Sequence, residues 1–361
     1  MARTLMIMAG GTGGHIYPGL AVAEELSRRG WSIVWLGTRK GMEGRIVPQH
    51  GYRMAWLNIS GLRGNGWLRK LVMPGMLAWS CVQALWALLH YQPDAVLGMG
   101  GYPSVPGGLM AALLRKPLLV HEQNAIAGLS NRLLACLATR VMSGFPDAFR
   151  AAKRIWPCRK VDSEWTGNPV RADIVAAGAK RRHHEGRLRL LVVGGSLGAA
   201  ALNTVVPAAL ALLTEEERPL VVHQSGARHL EVLRANYVAV GVDAEVREFI
   251  VDMAEMYAWC DVAITRAGAL TLAELAAAGV PAILVPYPHA VDDHQTVNAG
   301  FLVARQAARL ISQDGLTAER LAAELRLLNR DLLAAMSRQA LAAARPEAVM
   351  RVAQCCEDAV S

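Results

Sequence analysis

The residues best suited to chemistry lie between Thr265 and Asn298, where a glycine turn and an apolar helix are followed by a polar run, Pro288-His289-Ala290-Val291-Asp292-Asp293-His294-Gln295-Thr296-Val297-Asn298. A helix opening just after Gly268 offers unpaired N–H groups and a positive dipole end, which suit a phosphate. The polar run supplies amide and hydroxyl groups that could sort the hydroxyls of a sugar. A phosphate seat beside a hydroxyl-reading loop points to a nucleotide-sugar site. Two more glycine turns stand upstream, Gly10-Gly11-Thr12-Gly13-Gly14-His15 and Gly194-Gly195-Ser196-Leu197-Gly198. His121-Glu122-Gln123-Asn124 is a polar cluster at the end of an apolar run, either facing a ligand or forming a satisfied buried pair. Asp292-Asp293-His294 is not a D-x-D pair and nothing else has metal-ligand spacing, so no metal is expected.

The elements that must position these residues read as strand–helix repeats. Residues 261–265 form a strand, 270–278 a helix stopped by Gly279, and 281–285 the next strand, so both loops lie at the ligand-binding edge of a parallel sheet. Residues 4–9 and 31–36 are strands around a helix at 19–29, a Rossmann-type start. It lacks the dinucleotide fingerprint: Ile16 holds the third glycine position, and the second strand ends in Gly37-Thr38 without an acidic residue, which argues against a dehydrogenase. The pattern restarts at 188–193 with a helix at 199–213. Two glycine turns half a chain apart predict an α/β protein of two Rossmann-like domains with parallel sheets facing a deep cleft. Thr166–Arg171 reads as the junction and the charged run Lys180–Arg189 as solvated linker. A break near Arg345-Pro346 lets the last helix return to the first domain. The expected domains are 1–165 with about 340–361, and 166–339.

Composition narrows the partners. Of 361 residues 53% are hydrophobic and 19% charged, which excludes extended disorder. Six cysteines without CxxC spacing fit reduced thiols in a cytosolic chain, and no signal peptide is evident. Residues 1–165 carry 19 basic and 8 acidic side chains, net +11, against 19 and 22, net −3, in the remainder. The basic half suits an anionic membrane surface or a diphosphate, or is simply a solvated basic face; no aromatic-basic stripe speaks for nucleic acid. Leu71–Leu89 holds nineteen residues without a charge. Since 95–97 reads as the next strand of the same sheet, a crossover helix touching the membrane is expected there rather than a span, with Trp67, Arg69 and Lys70 as interfacial flank.

Taken together, Gly10–His15, His121–Asn124, Gly194–Asn203, Gly268–Glu274 and Asp292–Asn298 resemble the MurG family, N-acetylglucosaminyltransferases that act on lipid I in bacterial cell-wall synthesis. The resemblance covers essentially the whole chain and implies the two-domain GT-B architecture. It also implies an inverting transfer from UDP-N-acetylglucosamine (UDP-GlcNAc) to the C4 hydroxyl of MurNAc in lipid I, and a peripheral place on the cytoplasmic face of the cell membrane. No cofactor is implied; the partners are the two substrates, anionic lipid and other cell-wall synthesis proteins. Two positions depart from the family pattern: Ala267 replaces a usual Ser, and Val105 a usual Gly.

The resemblance places the donor mainly on the second domain. Ser196 and Arg171 would contact phosphate, the Ile250 backbone the uracil, and Ala269, Leu270, Thr271, Leu272, Ala273 and Glu274 the phosphates and ribose. Gln295 and Asn124 would read the sugar, while Thr12, Gly13 and Gly14 would line the first glycine loop. Glu274 can accept from two ribose hydroxyls; alternatively Thr271-x-x-Glu274 is a helix capping box. His15 is the general-base candidate, the rival roles being to hold the acceptor diphosphate or to cap its helix. Tyr102, His121 and Glu122 are placed on the acceptor side. Related readings are a UDP-GlcNAc 2-epimerase and a non-catalytic membrane-docked nucleotide-sugar sensor.

Overall fold

Short apolar runs separated by amphipathic ones can bury their strands only between two helical layers, and the chain does this twice. The computed structural model describes residues 2–59, 67–152, 161–181, 185–195 and 198–360, with the backbone alone at 67–72. Its contacts divide into two units, Met1–Arg171 with Arg345–Ser361, and Ala172–Ala344. The divisions therefore fall after Arg171 and Ala344, where the sequence suggested 165 and 339.

In the first unit β1 (Thr4–Ala9) leads to α1 (Gly13–Arg28), β2 (Ser32–Thr38) to α2 (Glu43–Gln49), and β3 (Arg53–Leu57) to α3 (Trp67–Tyr91). Then come β4 (Ala95–Gly100), α4 (Ser104–Leu113), β5 (Leu118–Glu122), α5 (Leu129–Ala135), β6 (Arg140–Ser143) and β7 (Glu164–Trp165). The sheet is parallel in the order β3-β2-β1-β4-β5-β6-β7. The order reverses between β1 and β4, so the loops after these two strands are neighbours at the place where such sheets bind ligands. Leu5, Ile7 and Trp35 pack to one face and Met6, Met8 and Leu36 to the other, all fully buried. The Trp35 indole N–H also donates to the Ala9 carbonyl at 2.9 Å, tying β2 to the end of β1.

Helix α1 begins at Gly13, well before the expected 19, so His15 lies in its first turn. Pro18 inside the helix hid this, because a proline reads as a helix start. Helix α3 is the expected crossover helix. It buries Ala84, Ala87 and Leu88 and exposes Trp79, Val82, Trp86 and Leu89. No helix among the described residues is long and apolar enough to cross a membrane. Cys81, Cys260, Cys355 and Cys356 are free, but Cys136 is disulfide-bonded, so the expectation of reduced thiols throughout does not hold there.

The second unit starts with α6 (Ala172–Lys180), β8 (Arg189–Val193), α7 (Ala200–Ala211), β9 (Leu220–Gln224), α8 (Leu230–Val240) and β10 (Glu245–Arg247). It continues with α9 (Met253–Trp259), β11 (Val262–Thr265), α10 (Ala269–Ala277), β12 (Ala282–Leu284), α11 (His294–Val303), β13 (Ala308–Leu310), α12 (Ala318–Arg326) and α13 (Arg330–Ala343). The parallel order β10-β9-β8-β11-β12-β13 puts its reversal between β8 and β11. Ala344 is extended, and beyond it α14 (Ala348–Asp358) belongs to the first unit, where Val352, Ala353, Cys355 and Cys356 complete the core beside α1. Arg29 ties the two helices by an ion pair to Glu357 at 2.7 Å.

Arg181 corrects the expectation of a solvated linker over Lys180–Arg189. Its guanidinium donates to the carbonyls of Cys260 (3.0 Å), Asp261 (3.2 Å) and Gly279, and to the Ser337 hydroxyl at 3.3 Å. It thus satisfies carbonyls at the C-terminal ends of α9 and α10 that have no partner within their helices. Arg181→Met keeps the stem and leaves those carbonyls short of donors. It should destabilise the second unit by about 1–3 kcal/mol, read as a lowered urea midpoint; an unchanged midpoint would mean that water replaces the guanidinium.

Candidate functional site

In the first unit the site is built where β1 and β4 end. Gly10–Thr12 turns into α1, with Thr12 as its first, extended residue. The His15 Nδ1 lies 3.1 Å from the Gly10 carbonyl and 3.3 Å from the Thr12 hydroxyl. A carbonyl can only accept, so Nδ1 carries the proton, and in the neutral ring the basic lone pair sits on Nε2. The ring rests against Gly100, where a Cβ would fall 3.0 Å from its Cδ2; Gly100 also has φ +98°. Gly13 and Gly14 form the first turn beside Tyr17, whose ring is 6.0 Å from the guanidinium carbon of Arg171.

Sequence reasoning missed the group that holds this loop. Glu43 is fully buried; Oε2 accepts from Gly11 N–H at 3.1 Å, and Oε1 from the N–H (3.0 Å) and hydroxyl (2.6 Å) of Thr38. The Thr38 hydroxyl is in turn 3.3 Å from the Tyr102 hydroxyl. A Cβ on Gly10 or Gly41 would strike the Glu43 carboxylate at 2.7 or 2.3 Å, so both glycines make room for it. The acidic residue absent from the end of β2 thus arrives five positions later and turns inward to the backbone.

His121 and Glu122 are buried, and their polar atoms are engaged by the loop around them. Glu122 accepts from Asn124 N–H (2.9 Å), Asn124 Nδ2 (3.1 Å), Gly128 N–H (3.0 Å) and Asn131 Nδ2 (2.9 Å). Four donors fill the lone-pair sites of a carboxylate. His121 Nε2 donates to the Gly167 carbonyl at 2.9 Å, and Nδ1 takes a bond from Gln123 Nε2 at 3.2 Å. Burial pulls the His121 pKa down to about 4, although the Gly167 carbonyl and Glu122 oppose it. Both residues hold the loop carrying Asn124, which remains half-buried at its tip.

In the second unit the loops after β8 and β11 make the corresponding place. Ser196 lies outside the described residues. Around it, Gly195 (φ +90°) and Gly198 (φ +75°) bend the turn, and a Cβ on Gly198 would sit 1.9 Å from the Ser225 carbonyl. Gln224, also missed from sequence, is buried between two loops. Its Nε2 donates to the Gly195 carbonyl and its Oε1 accepts from Ile250 N–H, each at 2.9 Å. The Ile250 N–H is therefore committed to the protein.

Helix α10 has Gly268 as N-cap and no side-chain cap. Thr271 sits inside the helix, so the capping-box alternative for Thr271 and Glu274 does not hold. Glu274 Oε2 instead accepts from the Tyr257 hydroxyl at 3.0 Å. Ala269, Leu270 and Thr271 supply the first turn. Leu272 is buried and its N–H is spent on the Gly268 carbonyl, so Leu272 has neither side chain nor N–H to offer a ligand. Ala273 lies one residue deeper in the same helix.

Gln295 Oε1 accepts from Ala267 N–H (3.2 Å) and Tyr287 N–H (2.9 Å), which uses both lone pairs and leaves its NH2 as the donor end. Asn298 Nδ2 donates to the Ala267 carbonyl at 3.2 Å. Ala267 is thus gripped through its backbone, and the serine it replaces is not needed for that hold. Arg266 spans the carbonyls of Val285 and Pro286 (3.1 Å each) and Gln313 Oε1 (2.6 Å), and burial lowers its pKa. Among the described residues no three His, Cys, Asp or Glu side chains converge where they could hold a metal ion.

Two parallel-sheet Rossmann-like units, each with a glycine turn at its switch point, make this an α/β protein of the GT-B class. The glycosyltransferase family 28 N-terminal domain matches residues 5–143 and the family 28 C-terminal domain residues 189–352. The UDP-N-acetylglucosamine--N-acetylmuramyl-(pentapeptide) pyrophosphoryl-undecaprenol N-acetylglucosamine transferase of Thiobacillus denitrificans is 60% identical over 357 residues, 98% of each chain. The crystal structure of Acinetobacter baumannii MurG aligns over 99% of both chains at 39% identity, with a TM-score of 0.83. The chain belongs to the MurG family. A UDP-N-acetylglucosamine 2-epimerase also aligns (TM-score 0.63; 98% of this chain, 95% of that one), but at 15% identity this is a likeness of fold alone.

The buried His121 gives a pH dependence. Its folded pKa of about 4 lies below the unfolded value near 6.5, so the unfolded state binds the extra proton between them. Stability is complete above about pH 6.5 and falls as the pH drops toward 4, with a limiting slope of about 1.4 kcal/mol per pH unit for this group. Urea unfolding of His121→Gln over that window should show a slope smaller by up to one proton. An equal slope in both proteins would assign the dependence to other groups.

Proposed function

We infer that the protein transfers N-acetylglucosamine from UDP-GlcNAc to lipid I, undecaprenyl-pyrophosphoryl-MurNAc-pentapeptide, forming lipid II in peptidoglycan synthesis. The observation that carries this is the full-length identity to the Thiobacillus denitrificans transferase, joined by a switch-point site in each unit. We further propose that the second unit holds the donor and the first the acceptor. The open first turn of α10 and the glycine turn after β8 suit the diphosphate. The Ile250 carbonyl meets the uracil, since its N–H belongs to Gln224. Glu274 accepts from the ribose hydroxyls, and the Gln295 NH2 reads the sugar.

An inverting transfer to the MurNAc C4 hydroxyl needs a base for that proton and positive partners for the leaving UDP. The Nδ1–H tautomer of His15 supports Nε2 as the base. The N–H groups of the first turn of α10 serve the diphosphate charge. Labelled N-acetylglucosamine should pass from UDP-GlcNAc to a short-chain lipid I analogue equally with and without EDTA. His15→Ala should lower kcat about 10²–10⁴-fold with little change in donor affinity. A matching loss of UDP binding would move His15 from base to donor contact.

The enzyme docks on the cytoplasmic membrane face through α3 and the end of α4. Trp79, Val82, Trp86 and Leu89 expose one apolar stripe, Leu113 is 67% exposed, and Arg115 follows it. Such a face suits the boundary between anionic headgroups and acyl chains. Trp86→Glu should reduce co-sedimentation with vesicles containing anionic lipid while leaving transfer to a detergent-soluble lipid I analogue intact. Undiminished sedimentation would move the docking face elsewhere.

A further inference from the structure

The reading of Glu274 as the ribose contact leaves unexplained what holds its carboxylate on an otherwise apolar helix turn. One partner is Tyr257 of α9, which is only 1% exposed and whose hydroxyl lies 3.0 Å from Glu274 Oε2. A carboxylate can only accept, so the phenol is the donor. Tyr257 is itself held from both ends of its helix. At the start the Asp252 side chain accepts from Glu255 N–H at 2.8 Å. At the end Arg181 takes the Cys260 and Asp261 carbonyls. A short helix clamped in this way presents the phenol from a fixed position.

We propose that Tyr257 is a positioning residue that sets the preference of the donor site for ribose over 2′-deoxyribose. A glutamate on a helix face has several rotamers, and only some direct its lone pairs at a vicinal diol. One charge-assisted hydrogen bond from a buried phenol selects among them and holds the carboxylate ready before the nucleotide arrives. The two sugar hydroxyls are then met without reordering the side chain. The inference rests on the assignment of Glu274 to the ribose, and it adds the group through which that contact becomes selective.

The test compares UDP-GlcNAc with 2′-deoxy-UDP-GlcNAc on Tyr257→Phe, Glu274→Ala and the double variant. Phenylalanine keeps the buried ring and removes only the hydroxyl. For Tyr257→Phe, kcat/KM with UDP-GlcNAc should fall about tenfold, the scale of one hydrogen bond to a charged group. The fall should appear in KM, while kcat/KM with the deoxy donor stays within about twofold. The double variant should discriminate no differently from Glu274→Ala. Equal losses on both donors, or a lower melting temperature with discrimination intact, overturn the proposal by reducing Tyr257 to a packing role. If Glu274→Ala itself discriminates between the donors as the parent does, the ribose assignment fails first and the inference falls with it.

Discussion

A parallel sheet covered on both faces buries the loops that leave its strands, and every N–H and C=O in those loops then needs a partner. An unpaired one costs about 1–3 kcal/mol, so a few such groups would exhaust the stability of a domain. This chain meets the demand with side chains that stand at the ends of strands and the starts of helices. Glu43 takes the N–H groups of Gly11 and Thr38, Glu122 those of Asn124 and Gly128, Gln224 joins Gly195 to Ile250, and Gln295 joins Ala267 to Tyr287. Glu43, Gln224 and Gln295 each fasten two strand-end segments together, and Glu122 closes the single loop after β5 on itself. The shape of both switch points follows from that requirement.

A division of labour results. Residues whose polar atoms are consumed by the backbone cannot also read a ligand, and those left over can. Glu122 spends all of its accepting capacity inward, whereas Gln295 spends only its carbonyl oxygen and keeps its NH2. The helix starts show the same logic from the other side. Thr12 and Gly268 make no side-chain cap, so the first turns of α1 and α10 forgo a contribution of about 0.5–2 kcal/mol that an anion can supply instead.

Much of this architecture was legible because it is periodic. Apolar runs, glycine turns and the break at Arg345-Pro346 announce themselves locally, and so the two units and the returning last helix could be expected. What stayed hidden depends on distant partners. Nothing near Glu43 signals that its carboxylate meets Gly11, 32 positions away, or near Tyr257 that its hydroxyl meets Glu274, 17 positions on. Arg181 sat in a run of charges that reads as solvated, and only the fold shows that it ends against helix carbonyls. Leu272 was carried into the site by its neighbours in a motif, although helical geometry turns its side chain to the core. The polar cluster at His121 was ambiguous in sequence because a buried histidine and a ligand-facing one look alike until their partners are known.

The return of α14 has a consequence for how the molecule is made. The first unit opens with β1, yet a wall of its core, Val352, Ala353, Cys355 and Cys356, is encoded only after the second unit. Between them the ribosome must produce the whole of the second unit, which at 5–20 residues per second occupies roughly ten to thirty-five seconds. During that interval the apolar flank of α1 lacks the helix that covers it and is open to whatever hydrophobic surface lies nearby. The first unit is therefore sealed only after the second has been made.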